Sequence, residues 1–250
     1  FTCTAFLHSV MIQEKKNMLK VWNMVLVILT FSLTIFGTFL TRSGVISSVH
    51  SFTQSGLGPF FLAFLALVVV LSVGLLLWRL PQLRSENELD SLLSRETAFL
   101  LNNLIFIGLT FATFWGTIFP VISEAVRGVK ITVGPPFFNT VNAPLGLILL
   151  FLTGVGPVIA WRKASAKNLR KNFLIPTLVG LLGGGFVILA GVRNYYAIVS
   201  FSLCAFVLST IFAEFYRGVR ARQAMVGEAP HTALVRLIGK NRRRYGGYIC

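Results

Sequence analysis

The sequence predicts an all-α polytopic membrane protein: one helical domain with six complete transmembrane helices, two truncated ones, and short amphipathic surface helices on the periplasmic side. Three observations predict it. Hydrophobic residues make up 55% of the 250 residues and charged residues only 12%, which no soluble domain of this size shows. Six apolar runs reach the roughly 20 residues that a hydrocarbon core about 30 Å thick demands of a helix. Finally, the 23 lysines and arginines are unevenly placed. Alternating the runs across a membrane puts all of them on one side except Arg42, Arg127, Lys130 and Arg193. By the positive-inside rule the basic loops are cytoplasmic and the opposite loops lie outside, in the periplasm of a Gram-negative cell. The same placement removes a nucleic-acid reading of the net charge of +15.

Taken in order, residues 1–12 read as the tail of a helix already under way. The complete spans fall at about 19–40, 59–79, 97–119, 144–161, 172–191 and 196–217, and 245–250 begin a further helix. The stretch therefore reads as an internal part of a larger protein. In the first complete span, Asn23, Thr30, Thr34, Thr38 and Thr41 fall along one helix face. Asn103, Thr110, Thr113 and Thr117 repeat that pattern in the span from Thr97. Such stripes either pack helices together or line a cavity for a cofactor or substrate. The span at 59–79 is nearly all Phe, Leu and Val and is expected to face lipid. GLLGGG at Gly180–Gly185 reads as a small-residue packing face, since it lacks the K-[ST] and the strand-turn-helix context of a phosphate loop.

The connections carry further signals. After Arg42, the residues Val45, Ile46, Val49 and Phe52 share one helical arc, which fits a short surface helix with His50 at its edge. VISEAVRG, after Pro120, fits a second one. KITVGPPFFN then predicts a brief extended piece ended by Pro135 and Pro136, with Phe137 and Phe138 behind it to anchor a loop or cover a planar ligand. Between the second and third spans, Ser94 or Asp90 is placed to cap the incoming helix, with Glu96 in its first turn. The cysteines, Cys3, Cys204 and Cys250, have no C-x-x-C spacing and read as small buried residues.

The histidines are the residues with chemistry to explain. His8 lies inside an apolar helical segment, where a neutral imidazole is either hydrogen-bonded to a neighbour or bound to a metal. His50, outside, is either an ordinary interfacial residue or a ligand. His231 follows Pro230 in a basic loop and reads as solvated. No nucleophile triad assembles, and Glu124 and Glu214 lie too far apart in the topology to act as an acid/base pair.

TAFLHSVMIQEKKNMLKVWN, FLTRSGVISSVHSF, RETAFLLNNLIF, FWGTIFPVISEA, VGPPFFNTVNAP and NRRRYGGYI follow one another across the chain. Together they resemble the CcmF-type cytochrome c haem lyases, membrane subunits that attach haem to apocytochromes; sister lyases dedicated to nitrite-reductase cytochromes share the pattern. The resemblance implies two haem ligands. His8, in AFLHSV, matches a transmembrane histidine that is an axial ligand to a resident haem b. His50, in SSVHSF, matches the second of two periplasmic histidines that hold incoming haem, the substrate. Neither ligand set would be complete within the chain. The resemblance also implies a place in the bacterial inner membrane. Its partners would be a haem chaperone, an apocytochrome c with a C-x-x-C-H motif, thiol-reducing and apocytochrome-presenting subunits, and quinol as reductant. The competing classes are a polytopic transporter of haem or another solute, which would need helices broken mid-membrane, and an assembly scaffold.

The topology is directly testable. In a background without native cysteines, Ser47→Cys and Thr140→Cys should react with an impermeant maleimide from outside the cell. Ser165→Cys and Ala224→Cys should react only after lysis, and labelling of the latter pair in intact cells would reverse the assignment.

Overall fold

The computed structural model of the chain describes residues 1–43, 56–84, 94–156, 158–159 and 165–249. Among them the backbone is helical and contains no strand. The elements are α1 (Thr2–Lys16), α2 (Lys20–Arg42), α3 (Gly58–Arg79) with a 3₁₀ turn at Leu80–Leu83, α4 (Arg95–Arg127), α5 (Pro135–Val155), α6 (Ala166–Leu189), α7 (Tyr195–Val226), α8 (Pro230–Lys240) and α9 (Arg242–Ile249). Helices α2 to α7 are each long and apolar enough to cross a membrane. The chain is thus an all-α polytopic membrane protein. Its residues group into two compact units, Phe1–Asp90 with Phe99–Leu145, and Ser91–Ala98 with Gly146–Cys250.

In the first unit the chain reverses between α1 and α2 within three residues. Asn17 closes α1 in the left-handed conformation (φ 55°), its N–H bonded to the Gln13 carbonyl, and Leu19 adopts the same conformation (φ 63°) before α2. Asparagine takes that conformation readily, whereas a leucine is strained there by roughly 1–2 kcal/mol. Met18 between them is buried. The tight reversal lays α1 back along α2. The Thr2 and Thr30 hydroxyls then sit 2.8 Å apart, while Thr30 also reaches the Leu26 carbonyl at 2.7 Å. Beyond this point the polar stripe of α2 turns inward on its own helix. Thr34, Thr38 and Thr41 donate to the carbonyls of Thr30, Thr34 and Gly37 at 2.9, 3.0 and 3.2 Å. A hydroxyl bonded one turn back costs little in lipid, because no donor is left bare. Helix α3 buries only Gly58 at its start and exposes its phenylalanines and leucines, as the lipid-facing reading requires.

The connection after Pro120 differs from the expected surface helix. VISEAVRG is not a separate helix: it forms the last turns of α4, which runs 33 residues straight through Pro120. At 1.5 Å per residue, about 50 Å, α4 outreaches the hydrocarbon core. Pro120 withholds one backbone N–H, and the residue four positions back, where the ring would press, is Gly116. The Ser123 hydroxyl donates to the Pro120 carbonyl and accepts the N–H of Ile131, both at 2.9 Å, which ties the following segment to the helix. Pro135 and Pro136 then open α5 rather than merely ending an extended piece, since the first turn of a helix needs no N–H. The span therefore begins at Pro135 and carries Pro144 inside it. Phe137 and Phe138 close over Gly116, where a Cβ would lie 3.0 and 2.6 Å from their rings. The other expected surface helix, with Val45, Ile46, Val49, His50 and Phe52, lies outside the described residues.

In the second unit, Ser94 caps α4: its Oγ accepts the Thr97 N–H at 3.2 Å, and Glu96 occupies the first turn. Arg95 donates from Nε to the Gly156 carbonyl at 3.0 Å. Helix α6 runs unbroken through GLLGGG and packs on α7 there. A Cβ at Gly180 would fall 3.0 Å from the Ser202 carbonyl oxygen, and one at Gly183 would fall 2.9 Å from the Ala205 Cβ. Two features depart from the sequence reading. Cys3, in the first unit, and Cys204 are exposed rather than buried; on a lipid-facing surface a thiol serves as a small apolar group. The basic stretch after Arg217 is helical rather than a loop. Helix α7 extends to Val226, turns at Gly227 (φ 69°), and α8 and α9 fold back so that Leu237 and Tyr245 cover Gly218. Glu228 fastens that turn, accepting from Arg222 at 3.0 and 3.2 Å and from Arg236. The Arg222 bonds, and then those of Arg236, hold its carboxyl below the usual carboxylate range.

The α6–α7 contact can be tested within one helix. Gly183→Leu overfills it and should lower stability by roughly 1–3 kcal/mol, read as a drop in the thermal midpoint of the detergent-purified protein. Gly185→Leu, where a Cβ meets open space, should leave the midpoint unchanged.

Candidate functional site

Helix α1 presents Thr2, Ala5, Ser9 and Ile12 on its buried face, with Lys15 and Lys16 at its C-terminal end where the helix dipole favours cations. His8 stands at the edge of that face and is half-buried. Ser9, its neighbour, donates to the Asn23 carbonyl on α2, and the Asn23 amide donates to Gln13 at 2.6 Å. Asn23 thereby joins two turns of α1 to one position of α2. This buried seam sets how α1 is rotated, and so where His8 sits.

The remaining walls of the histidine come from α4. Phe99, Asn102 and Phe106 follow at steps of three and four and share one helix face. The His8 ring centroid lies 5.7 Å from that of Phe99 and 5.9 Å from that of Phe106, tilted 34° and 33° to them. Between the two phenyl rings Asn102 Nδ2 meets His8 Nδ1 at 2.5 Å. Phe1 stacks on Phe106 from the other side at 6.3 Å. Among the described residues Nε2 has no hydrogen-bond partner. The imidazole is held at one nitrogen and along its faces, and its second nitrogen remains available.

No group of three or more His, Cys, Asp or Glu side chains able to hold a metal ion exists among the described residues. A lone histidine suits a metal whose other ligands come from elsewhere, as with an iron already held by the four nitrogens of a porphyrin. His8 can take that role when the Asn102 carbonyl, rather than Nδ2, faces Nδ1 and leaves the Nε2 lone pair free. His50 lies outside the described residues, and His231 is exposed in the first turn of α8. The sequence reading picked out Asn103 but missed Asn102. Asn103 is buried with neither amide atom bonded among the described residues, whereas Asn102 reaches the histidine. The signal was the unusual Asn-Asn pair within an apolar span.

No family model matches the chain, and no solved structure matches it. Curated proteins do. The cytochrome c-type biogenesis protein CcmF of Pseudomonas aeruginosa is 36% identical over 231 residues, 90% of this chain and 34% of that protein. CycK of Bradyrhizobium diazoefficiens, also a cytochrome c-type biogenesis protein, is 41% identical over 180 residues, 72% of this chain and 27% of its own. This chain belongs to the CcmF-type family of cytochrome c-type biogenesis proteins. The cytochrome c-type biogenesis protein NrfE of Haemophilus influenzae is 30% identical over 211 residues, 83% of this chain and 32% of that protein. The chain spans about a third of the length of the CcmF-type relatives it matches.

Removing the seam tests what holds the histidine. Asn23→Ala strands the Ser9 hydroxyl and the Gln13 amide, at a cost of roughly 1–3 kcal/mol. The expected outcome is a lower thermal midpoint of the purified protein, with faster protease cleavage between Asn17 and Lys20.

Proposed function

We propose that this chain forms part of the membrane core of a cytochrome c haem lyase, with His8 as an axial ligand to a resident haem b. The observation that carries the proposal is the His8 ring, in contact at Nδ1 with Asn102, flanked by Phe99 and Phe106, and with Nε2 free of hydrogen-bond partners among the described residues. The four residues fit such a group. Two aromatic side chains give an apolar wall for a macrocycle, and a neutral imidazole in a membrane span needs a partner for its second nitrogen. When bound, the resident haem supplies a store for one electron at a time. The chain's own contribution is to hold the imidazole in one plane, keep bulk water away from it, and set the ligand's basicity through Asn102.

His50 takes the second role in this proposal, holding substrate haem at the periplasmic surface of the inner membrane. The lyase reaction adds a cysteine S–H of the apocytochrome C-x-x-C-H motif across each haem vinyl group. Sulfur bonds to one vinyl carbon and hydrogen to the other, with no net change of oxidation state. Alignment of thiol and vinyl is then the main contribution a protein makes. The partners are those the reaction demands: a haem chaperone, an apocytochrome, subunits that keep its thiols reduced and present them, and quinol to supply electrons. Helix α6 runs without a break through Gly180–Gly185, so the mid-membrane break that a transporter reading needs gains no support there.

Two substitutions in the whole protein separate the roles. His8→Ala should abolish the b-type absorption of the purified protein. His50→Ala should leave that absorption intact while the yield of mature cytochrome c falls, and imidazole added to His50→Gly should restore part of it. An unchanged spectrum in His8→Ala would return His8 to the status of a hydrogen-bonded helix residue, and loss of the resident haem in His50→Ala would overturn the two-site reading.

A further inference from the structure

We infer that Asn102 is a positioning residue that selects the tautomer of His8, and with it the strength of His8 as an iron ligand; this rests on the proposed role of His8. Asn102 Nδ2 lies 2.5 Å from His8 Nδ1. A half-turn of the amide about its last side-chain bond puts Oδ1 in the same place without moving α4. If the NH₂ group faces it, Nδ1 must accept, the ring hydrogen moves to Nε2, and neither nitrogen can donate a lone pair to iron. If the carbonyl faces it, Nδ1–H donates to Oδ1 and the Nε2 lone pair is free. Only the second arrangement makes His8 a ligand.

Asparagine suits the task in this place. Asn102 is buried in a span, where a carboxylate acceptor would carry a charge at high cost, while a neutral carbonyl orients the ring without one. A neutral acceptor withdraws the Nδ1 proton only weakly, so the imidazole stays a moderate donor and the haem potential stays higher than a carboxylate partner would leave it. Phe99 and Phe106, one turn to either side of Asn102 on α4, restrict rotation of the ring. One helix face thus fixes tautomer, plane and donor strength together. Asn103, adjacent in sequence, has no such contact and serves as the internal control.

The test uses the purified whole protein, with haem retention, the visible spectrum and the midpoint potential as readouts. Asn102→Leu should loosen haem by about 10- to 100-fold and shift the potential of what remains upward. Asn102→Asp should shift it downward, because a stronger acceptor increases the imidazole's donor strength. Asn103→Leu should leave the potential unchanged. Two variants that move the potential in the same direction, or leave it where the parent has it, would overturn the inference. His8→Ala in parallel separates the two ideas. Loss of the b-type spectrum there with no response to the Asn102 variants defeats this inference alone, and a spectrum retained in His8→Ala defeats the reading beneath it.

Discussion

A hydrocarbon environment offers no hydrogen-bond partners, and most of the polar architecture of this chain follows from that one constraint. A polar side chain in a span is therefore satisfied by its own helix or by a neighbour, Asn103 being an exception among the described residues. The threonines at 34, 38 and 41 take the first course and cost the fold little. Ser9, Asn23 and Gln13 take the second and in doing so lock α1 to α2. His8 also takes the second, through Asn102. The residues that stabilise the first unit and those that hold the imidazole are thus set by the same rule, and they lie within a few turns of each other.

Lipid also removes the hydrophobic drive that brings soluble helices together, so close contact has to come from shape. Gly116 admits Phe137 and Phe138, Gly183 admits Ala205, and Gly218 admits Leu237 and Tyr245. Towards the C-terminal end of α7, charge takes over. Glu228 draws Arg222 and Arg236 together at the turn between α7 and α8. Glu214 does the same for Arg217 and Arg244. These pairs give the cation-rich end of the second unit a defined fold in spite of its like charges.

A half-buried imidazole flanked by phenyl rings is a costly arrangement if it serves packing alone, because an aliphatic side chain would fill the space without a polar atom to satisfy. It sits where α4 offers an amide between two aromatics. The polar seam on the opposite side of α1 complements it, since a ring held at one nitrogen is only as well placed as the helix that carries it.

The amino-acid sequence by itself determined the helical class, the number of spans long enough to cross a membrane, the lipid-facing character of α3, the packing role of GLLGGG, a cap on α4 at Ser94 or Asp90 and the identity of His8 as a group in need of a partner. All of these follow from run length, periodicity or a local hydrogen bond, which act within a few residues. Tertiary structure decided what those rules do not reach. Periodicity placed Asn103 on a polar stripe, yet neighbours in an α-helix point about 100° apart, and it is the rotation of α4 against α1 that brings Asn102 to His8. The rotation of α1 depends in turn on the three-residue reversal at Asn17–Leu19 and on the bond from Ser9 to Asn23. Likewise α4 continues through Pro120, and α5 begins at a proline pair, because Gly116, Ser123 and the two phenylalanines come together there. Contacts between distant segments fix these features, and a single helix's pattern carries no record of them.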